Sequence, residues 1–286
     1  MTAGKPLAGF NRAVVIGGGT MGAGIAENLL LAVPGALHVT VMEASADLCA
    51  AARDRIVRAI EKHPDGRAAE DAIARLALIT APGQESGEPD LVFEAVPENE
   101  ELKLSVLRAA GSRWPEAIIA SNTSSLSLTR LAQVVSAPRR FIGMHFFNPV
   151  PRSALVELVV PEATAEETVA RCRELIAALG KEVIRVADFP GFATSRLGVA
   201  MGLEAIRMVE QGVASAADID KGMVLGYRFP MGPLKLTDLV GLDVRLAVAE
   251  HLHSELGPRF EPPQLMRDMV AAGRLGKKSG QGFYAW

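Results

Sequence analysis

Residues 13–22 read AVVIGGGTMG, and this segment is the strongest indication of the fold class. Its first four residues form an apolar run typical of a buried strand, and three glycines follow with the spacing G-x-G-x-x-G. Apolar residues then recur at intervals of three and four, which predicts a helix from Thr20 to about Ala32. A second apolar run at residues 39–42 predicts another strand. Strand, turn, helix and strand in this order indicate a βαβ unit.

The three glycines have separate physical roles in a turn that binds a dinucleotide. Gly17 permits the tight turn, Gly19 lets the backbone approach a pyrophosphate, and Gly22 lets the helix and the strand pack closely. The N–H groups and the dipole at the start of the helix favour the phosphate charge. We therefore expect these glycines, together with Thr20 and Met21, to bind the cofactor.

Glu43 closes the second predicted strand, 21 residues after Gly22. A carboxylate at this position accepts hydrogen bonds from a ribose 2′-hydroxyl and repels a 2′-phosphate. No arginine follows it directly, because the next residues are Ala44 and Ser45. The pattern predicts NAD rather than NADP as the cofactor, and the alternative is a tight turn beside a surface glutamate.

Strand-like and helix-like segments continue to alternate as far as residue 188. Strands separated by single helices pair in parallel, because each crossover returns the chain in the same direction. From residue 189 to the last residue no convincing strand follows, and the apolar spacing is helical. The sequence predicts an α/β protein with a Rossmann-type, mostly parallel sheet domain over residues 1–188 and an all-helical C-terminal domain over residues 189–286.

Individual boundaries are predicted as well. Among them are helices at residues 46–60, 98–110, 126–135 and 234–256 and strands at residues 141–144 and 155–160. Each of these boundaries depends on apolar spacing and on the positions of glycine and proline.

The composition argues against several classes of protein. The chain has 286 residues, of which 49% are hydrophobic and 22% charged, as in globular proteins. A net charge of −3 argues against a general nucleic-acid binder. No apolar run is long enough to span a bilayer, and the two cysteines, Cys49 and Cys172, form no disulfide or metal-binding pattern. We expect a cytoplasmic protein that binds no metal, nucleic acid or membrane.

A nicotinamide cofactor implies hydride transfer, and an alcohol substrate then needs a base for its hydroxyl proton. Only one of the five histidines, His145, follows a predicted strand of the parallel sheet, where α/β proteins place their ligands. The others lie in polar or charged segments, at His38, His63, His251 and His253. From the residues alone, His145 is either this base or a buried structural histidine.

Five longer segments carry a family resemblance. They are FEAVPEN at residues 93–99, SNTSSL at 121–126, MHFFNPVP at 144–151, DFPGF at 188–192 and GKKSGQGFY at 276–284. In this order they closely resemble the 3-hydroxyacyl-CoA dehydrogenase family, and most of all its short bacterial members that act on 3-hydroxybutyryl-CoA. The resemblance implies reversible, NAD-dependent oxidation of a short-chain (3S)-3-hydroxyacyl-CoA to the 3-ketoacyl-CoA.

By position, the resemblance also implies the catalytic side chains. His145 matches the family's catalytic histidine, Glu157 the carboxylate paired with it, and Ser124 the serine that contacts the substrate's oxygen. A carboxylate that accepts from one imidazole nitrogen fixes the tautomer of the ring and stabilises the imidazolium. Asn148 matches an asparagine near the histidine. From the residues alone, Glu157 would be an outward-facing strand residue, Ser124 a loop or helix-capping serine, and Asn148 the cap of an Asn-Pro turn.

The nicotinamide side of the cofactor site is implied in the same way. The matching residues are Ala95, Val96, Glu98, Lys103, Asn122 and Ser124. The first two would offer backbone groups, whereas Glu98 and Lys103 would hold the nicotinamide ribose. By composition alone, Glu98 and Lys103 would instead be a solvated helix face.

The expected substrate contacts include one departure from the family. Ser195, the third residue after Phe192, stands where the family usually has asparagine, and its side chain is shorter with a single hydroxyl. Coenzyme A carries several phosphate charges, and Arg55, Arg58 and Lys62 share one face of a predicted helix. We expect these three cations to bind the acyl-CoA substrate, and a solvated basic face is the alternative.

Two other functions stay open. A sugar-acid dehydrogenase of the L-gulonate type, from the same superfamily, would keep the NAD half and the His–Glu pair without a handle for coenzyme A. A non-catalytic, NAD-binding structural protein would need no catalytic group, and the intact set of Ser124, His145 and Glu157 argues against it. The resemblance further implies a homodimer formed through the helical domain, which would also line the acyl pocket.

Overall fold

The computed structural model describes residues 9–32 and 37–286. The chain divides into two compact units, Met1–Asp188 and Phe189–Trp286. The first unit contains a mostly parallel sheet with helices and the second is built from helices, so the predicted fold class is confirmed. Within the described ranges, no helix combines the length and the apolar character needed to cross a membrane.

Eight strands in the described part of the first unit form one sheet, in the order β3-β2-β1-β4-β5-β6-β7-β8. Their bounds are β1 Arg12–Ile16, β2 His38–Met42, β3 Leu76–Ile79, β4 Leu91–Glu94, β5 Ile118–Ser121, β6 Phe141–Phe146, β7 Leu155–Val160 and β8 Glu182–Ala187. Neighbouring strands are parallel except for β6 and β7, which are antiparallel. The connection between these two, residues 147–154, is too short for the helical crossover that parallel strands require.

The strand order reverses beside β1, which lies between β2 and β4. Because β1, β4, β5 and β6 are parallel, their carboxyl ends lie at the same edge of the sheet. Open α/β sheets bind ligands outside this edge, at the point of reversal. Segments that are far apart in the sequence therefore meet at one place: the glycine turn after β1, Glu94 at the end of β4, Asn122 after β5 and His145 near the end of β6.

Six helices accompany the sheet in the described part of the first unit. They are α1 Thr20–Ala32, α2 Ala46–Ile60, α3 Gly66–Ala74, α4 Glu100–Arg113, α5 Leu128–Ala132 and α6 Glu166–Ala178. The strands read as continuous apolar runs because most are covered on both faces, and Val15, Phe93 and Ile142 are fully buried. Burying each such side chain contributes about 1.5–3 kcal/mol of hydrophobic stabilisation.

Two predicted boundaries in this unit were wrong, and two elements were missed. Helix α3 and strand β3 were not predicted at all. Strand β6 runs two residues beyond Met144, because β7 pairs with it up to Phe146, so His145 lies inside the strand rather than after it. Helix α5 begins only at Leu128, because the Asp188 carboxylate accepts from the Leu128 and Thr129 N–H groups at 3.1 and 2.6 Å and fixes the start of the helix there.

The second unit contains α7 Thr194–Glu210, α8 Ala216–Gly226, α9 Pro233–Val240, α10 Leu242–Leu256 and α11 Gln264–Ala271. The single helix predicted for residues 234–256 is therefore two helices. Gly241 separates them with a φ of +103°, which a helix cannot accommodate. Only isolated bridges near the C-terminus, such as Gly276 with Gln281, have strand character in this unit.

Two buried aspartates hold the C-terminal segment to these helices. Asp238 accepts from the Phe283 and Tyr284 N–H groups and from the Trp286 indole, each at 2.9 Å. Asp220 accepts from the Tyr284 hydroxyl at 2.7 Å. Burial, together with Asp220, raises the pKa of Tyr284 above its usual range. The GKKSGQGFY segment is thus part of the packing of the second unit.

Candidate active site

The glycine turn after β1 has the close contacts that its spacing predicts for Gly17 and Gly22. Gly17 has a φ of +96°, and a Cβ there would lie 2.8 Å from the Ala95 carbonyl oxygen. A Cβ on Gly22 would lie 1.7 Å from the Gly17 oxygen, so helix and strand meet too closely for any side chain. A Cβ on Gly19 would meet nothing within 4 Å. The turn therefore leaves open space beside Gly19, and this space fits the pyrophosphate of a dinucleotide.

Glu43 follows β2 and turns back to the glycine turn. Its Oε1 accepts a hydrogen bond from the Gly18 N–H at 2.6 Å. Arg55, from α2, donates through Nη1 to the carbonyl oxygen of the same residue at 2.7 Å. An anionic side chain therefore binds the N–H group of Gly18, and a cationic side chain binds its carbonyl group. A carboxylate beside the glycine turn fits a ribose 2′-hydroxyl as its hydrogen-bond donor.

Lys103 joins two carboxylates at the ends of β4 and the following loop. Its Nζ lies 2.6 Å from Oε1 of Glu94 and 3.3 Å from Oε2 of Glu98, and it also donates to the Val96 carbonyl at 3.2 Å. Lys103 and Glu94 are buried, with 1% and 0% exposure. The alternative of a solvated helix face is therefore wrong for Lys103.

Glu98 organises the SNTSSL loop through one carboxylate oxygen. Its Oε1 accepts from the Thr123 hydroxyl at 2.6 Å, from the Ser124 N–H at 2.9 Å and from the Ser125 N–H at 3.1 Å. Partial burial acts to raise the pKa of Glu98, but Lys103 and these hydrogen bonds outweigh it and hold the pKa below its usual value. The charged carboxylate thus fixes the backbone of Ser124, whose hydroxyl lies 3.3 Å from the same oxygen.

His145 and Glu157 are direct partners in the register between β6 and β7. Nδ1 of His145 lies 2.7 Å from Oε2 of Glu157, and Glu157 is fully buried. The Phe147 ring packs against the imidazole with 4.6 Å between the ring centroids. Glu157 is therefore not an outward-facing strand residue. A buried carboxylate on one imidazole nitrogen fixes the ring and leaves proton transfer to the other nitrogen, Nε2.

Asn122 links this pair to the neighbouring strand. Its Oδ1 accepts from the Phe146 N–H at 2.9 Å, one residue beyond His145. Its own N–H donates to the Glu94 carbonyl at 2.9 Å. The end of β6 is thus connected to the ends of β5 and β4, which holds His145 and the nicotinamide side of the predicted cofactor site in one framework.

The expected substrate residues belong to several different elements. Arg55 and Arg58 lie on one exposed face of α2, and Lys62 lies in the turn that follows the helix. The three side chains line an open groove of about 550 Å³. Arg58 has a loose ion pair with Asp54, at 3.6 Å, whereas Arg55 is engaged with the glycine turn. Asn148 is exposed in the connection after β6. Ser195 belongs to the second unit, as the second residue of α7.

Sequence reasoning missed two functional neighbours. Glu94 accepts from Lys103 and from the Ser121 hydroxyl, at 2.6 and 2.5 Å, so it anchors the cation that pairs with Glu98. The signal was available, because an acid at the end of the apolar run LVFE is unusual. The other is Arg55 as a partner of Gly18, which helix-face spacing alone does not indicate.

A glycine turn with an acid after β2 and a His–Glu pair at the same sheet edge define a nicotinamide-dependent dehydrogenase. Models of two domain families match nearly the whole chain: the 3-hydroxyacyl-CoA dehydrogenase NAD binding domain at residues 12–189 and the 3-hydroxyacyl-CoA dehydrogenase C-terminal domain at residues 191–286. The chain belongs to the 3-hydroxyacyl-CoA dehydrogenase family. The predicted family and the predicted cofactor, NAD, are confirmed.

Individual relatives match along nearly their whole length. A 3-hydroxybutyryl-CoA dehydrogenase of Mycobacterium tuberculosis is 42% identical over 285 residues, which cover 97% of this chain and 99% of the relative. A probable 3-hydroxybutyryl-CoA dehydrogenase of Bacillus subtilis is 40% identical, over 95% of this chain and 96% of the relative. The crystal structure of (S)-3-hydroxybutyryl-CoA dehydrogenase PaaH1 from Ralstonia eutropha matches with a TM-score of 0.90 and 38% identity, over 97% of this chain and 99% of that chain.

Proposed function

We propose that the protein catalyses the reversible, NAD-dependent oxidation of a short-chain (3S)-3-hydroxyacyl-CoA, such as 3-hydroxybutyryl-CoA, to the 3-ketoacyl-CoA. The observation that carries the proposal is the 2.7 Å contact between His145 Nδ1 and buried Glu157, at the sheet edge where the glycine turn lies. Family membership and the relatives named 3-hydroxybutyryl-CoA dehydrogenase support the choice of substrate.

In the direction of oxidation, His145 acts as the general base. Because Glu157 occupies the Nδ1 side of the ring, Nε2 takes the proton of the substrate's 3-hydroxyl group. NAD, when bound, supplies the acceptor for the hydride from C3. Glu157 stays ionised and stabilises the imidazolium until the proton leaves. In the reverse direction the imidazolium returns the proton to the oxygen of the 3-keto group.

Ser124 positions the substrate's oxygen for this transfer. Glu98 fixes the backbone of Ser124 at 2.9 Å, and Lys103 holds Glu98 in its charged form. We assign Glu98, Lys103 and Asn122 to the nicotinamide ribose side of the cofactor, with backbone groups of Ala95 and Val96. The glycine turn, Thr20 and Met21 hold the pyrophosphate, and Glu43 the adenosine ribose.

The acyl-CoA handle is assigned to the exposed face of α2. Arg58 and Lys62 line the open groove beside this helix. Two exposed cations in one groove suit the phosphates of coenzyme A. Neutralising both, as Arg58→Ala with Lys62→Ala, should raise KM for acetoacetyl-CoA about tenfold. A short acetoacetyl thioester without the nucleotide handle is the matched control, and its KM should not change. Equal effects on both substrates would contradict the assignment.

We also propose Asn148 and Ser195, each taken separately, as substrate contacts. Their support is the match to the family pattern, in which Ser195 replaces an asparagine. The variant Ser195→Asn restores the family's amide and should change KM for acetoacetyl-CoA more than KM for NADH. A larger change in the NADH constant would remove Ser195 from the substrate site.

The reaction is tested by NADH oxidation with a series of 3-ketoacyl-CoA thioesters. We expect turnover that is highest with short chains such as acetoacetyl-CoA and that falls strongly in His145→Gln. Reduction of NAD with L-gulonate, without turnover of any thioester, would identify a sugar-acid dehydrogenase instead. NADH binding without turnover of either class of substrate would identify a non-catalytic binding protein.

We also propose that the protein is a cytoplasmic homodimer that forms through the second unit. Several large apolar side chains of this unit are exposed, which is typical of an interface; they are Leu197, Val213, Leu225, Tyr227, Val240 and Val244. Cys49 and Cys172 are buried free thiols, as suits a reducing compartment. Sedimentation should give twice the mass of one chain, and a monomer at micromolar concentration would contradict the dimer.

A further inference from the structure

Arg55 has an unusual position for a helix-surface arginine. It projects from α2, the helix that follows Glu43, and its Nη1 reaches the Gly18 carbonyl at 2.7 Å. Within residues 9–32 and 37–286 this is its one hydrogen bond, and no carboxylate pairs with it. A guanidinium has five N–H donors in a planar fork. Most of its N–H groups therefore donate to no acceptor within these described residues.

Arg55 and Glu43 both contact the backbone of Gly18. Glu43 Oε1 accepts from the Gly18 N–H at 2.6 Å, while Arg55 donates to the carbonyl of the same residue. From standard backbone dimensions, the two charged groups are then separated by at most about 9 Å, roughly one screening length at physiological salt. The corner beside Gly18, where we place the adenosine ribose, thus contains one anion, Glu43, and one cation, Arg55.

This pairing changes what the corner can bind. A lone carboxylate accepts from the ribose 2′-hydroxyl and repels a 2′-phosphate. A guanidinium nearby offers the two parallel N–H groups that phosphate oxygens prefer. The repulsion by Glu43 is therefore opposed by a cation placed a short distance away.

We propose that Arg55 is a second determinant of dinucleotide choice in this protein, a cation that binds the 2′-phosphate of NADP(H). NADH stays preferred, because Glu43 accepts from the free 2′-hydroxyl. NADPH, however, binds far better than the acid alone would allow, and it becomes the preferred dinucleotide when the charge of Glu43 is removed. The proposal concerns cofactor binding only, so it stands or falls independently of the acyl substrate.

The test is a fluorescence titration with NADH and NADPH in the absence of acyl substrate, which measures binding rather than turnover. In Arg55→Met, which keeps the apolar stem, we expect Kd for NADPH to rise about tenfold and Kd for NADH to change less than twofold. In Glu43→Gln, which keeps an oxygen for the Gly18 N–H, Kd for NADPH should fall about tenfold. The double variant should lose this gain, because the gain depends on Arg55.

Arg58→Met is the matched control, one turn further along the same exposed face of α2. Its ratio of Kd for NADPH to Kd for NADH should equal that of the unmodified protein. Arg55→Lys should keep part of the NADPH affinity, and thermal unfolding of each cofactor-free variant checks the fold. An unchanged ratio in Arg55→Met would overturn the proposal. Equal weakening of both dinucleotides would overturn it too, since Arg55 would then only support the Gly18 carbonyl.

Discussion

The glycine turn and the His145–Glu157 pair lie at the same edge of one sheet, yet they depend on opposite physical requirements. The turn works because side-chain atoms are missing: a Cβ on Gly22 would lie 1.7 Å from a backbone oxygen. The pair works because side-chain atoms are present and buried, with a carboxylate 2.7 Å from an imidazole nitrogen. Substitutions in the turn should therefore act through steric exclusion, and substitutions around the pair through charge.

The largest effect is expected at the pair. His145→Gln removes the base and should reduce turnover of acetoacetyl-CoA about 10²–10⁴-fold. The dissociation constant of NADH should stay within about twofold, because the glycine turn is untouched. His38→Gln, at the exposed start of β2, is the control and should turn over normally. Normal turnover in a folded His145→Gln protein would show that the reaction does not need His145 as its base.

The next prediction concerns Lys103 and asks whether its buried charge stabilises the fold between the glycine turn and the His145–Glu157 pair. Lys103→Met leaves Glu94 buried without its cation, which should lower the free energy of unfolding by about 3–5 kcal/mol. Arg108→Met, exposed on the same helix, should change it by less than about 0.5 kcal/mol. Urea unfolding measures both. Similar small effects in the two variants would mean that Lys103 is not paired as the structure shows.

Two alanine substitutions separate the steric roles within the turn. Gly22→Ala forces a clash with the Gly17 carbonyl and should lower the free energy of unfolding by about 3 kcal/mol. Gly19→Ala places its methyl group in open space, so stability should change by less than about 1 kcal/mol while NADH affinity falls at least about tenfold. Thermal unfolding and NADH titration distinguish the two. Unchanged NADH affinity in Gly19→Ala would contradict the pyrophosphate site.

The smallest effect is expected at Glu98 and depends on pH. Its pKa is lowered in the folded protein, so its charged form adds stability above the unfolded value of 4.5, and this stability is lost as the pH falls through the lower folded value. Because the side chain is about a third exposed, Glu98→Gln should cost only about 1 kcal/mol at neutral pH. The difference from the unmodified protein should shrink below pH 4.5. A difference independent of pH would show that the charge contributes nothing.

The same contrast explains what the sequence could predict. The glycine turn depends on neighbouring residues, so spacing alone indicated the roles of Gly17, Gly19 and Gly22. The pair depends on the register of two strands whose key residues are twelve positions apart, and the apolar pattern alone predicts that Glu157 faces outward. Only the family resemblance joined it to His145.

Other misses have local causes. Helix α3 has only nine residues, and the side chains that it buries are those of Ala69 and Ala72, so its sequence contains no large apolar side chain at a buried position. The break at Gly241 depends on a positive φ that the residue type permits but does not require. The contact between Arg55 and Gly18 crosses 37 positions, and the spacing of a helix face does not reveal such a contact. Contacts between segments that are distant in the sequence are thus the part of the site that is hardest to predict from the sequence.

The role of His145 as the base can be observed in a crystal structure with NAD and acetoacetyl-CoA bound together. We predict that His145 Nε2 lies about 2.6–3.2 Å from the oxygen on C3 of the acyl group, with Nδ1 still on Glu157. A structure in which that oxygen contacts a different proton donor, with the imidazole directed away from it, would exclude His145 as the base.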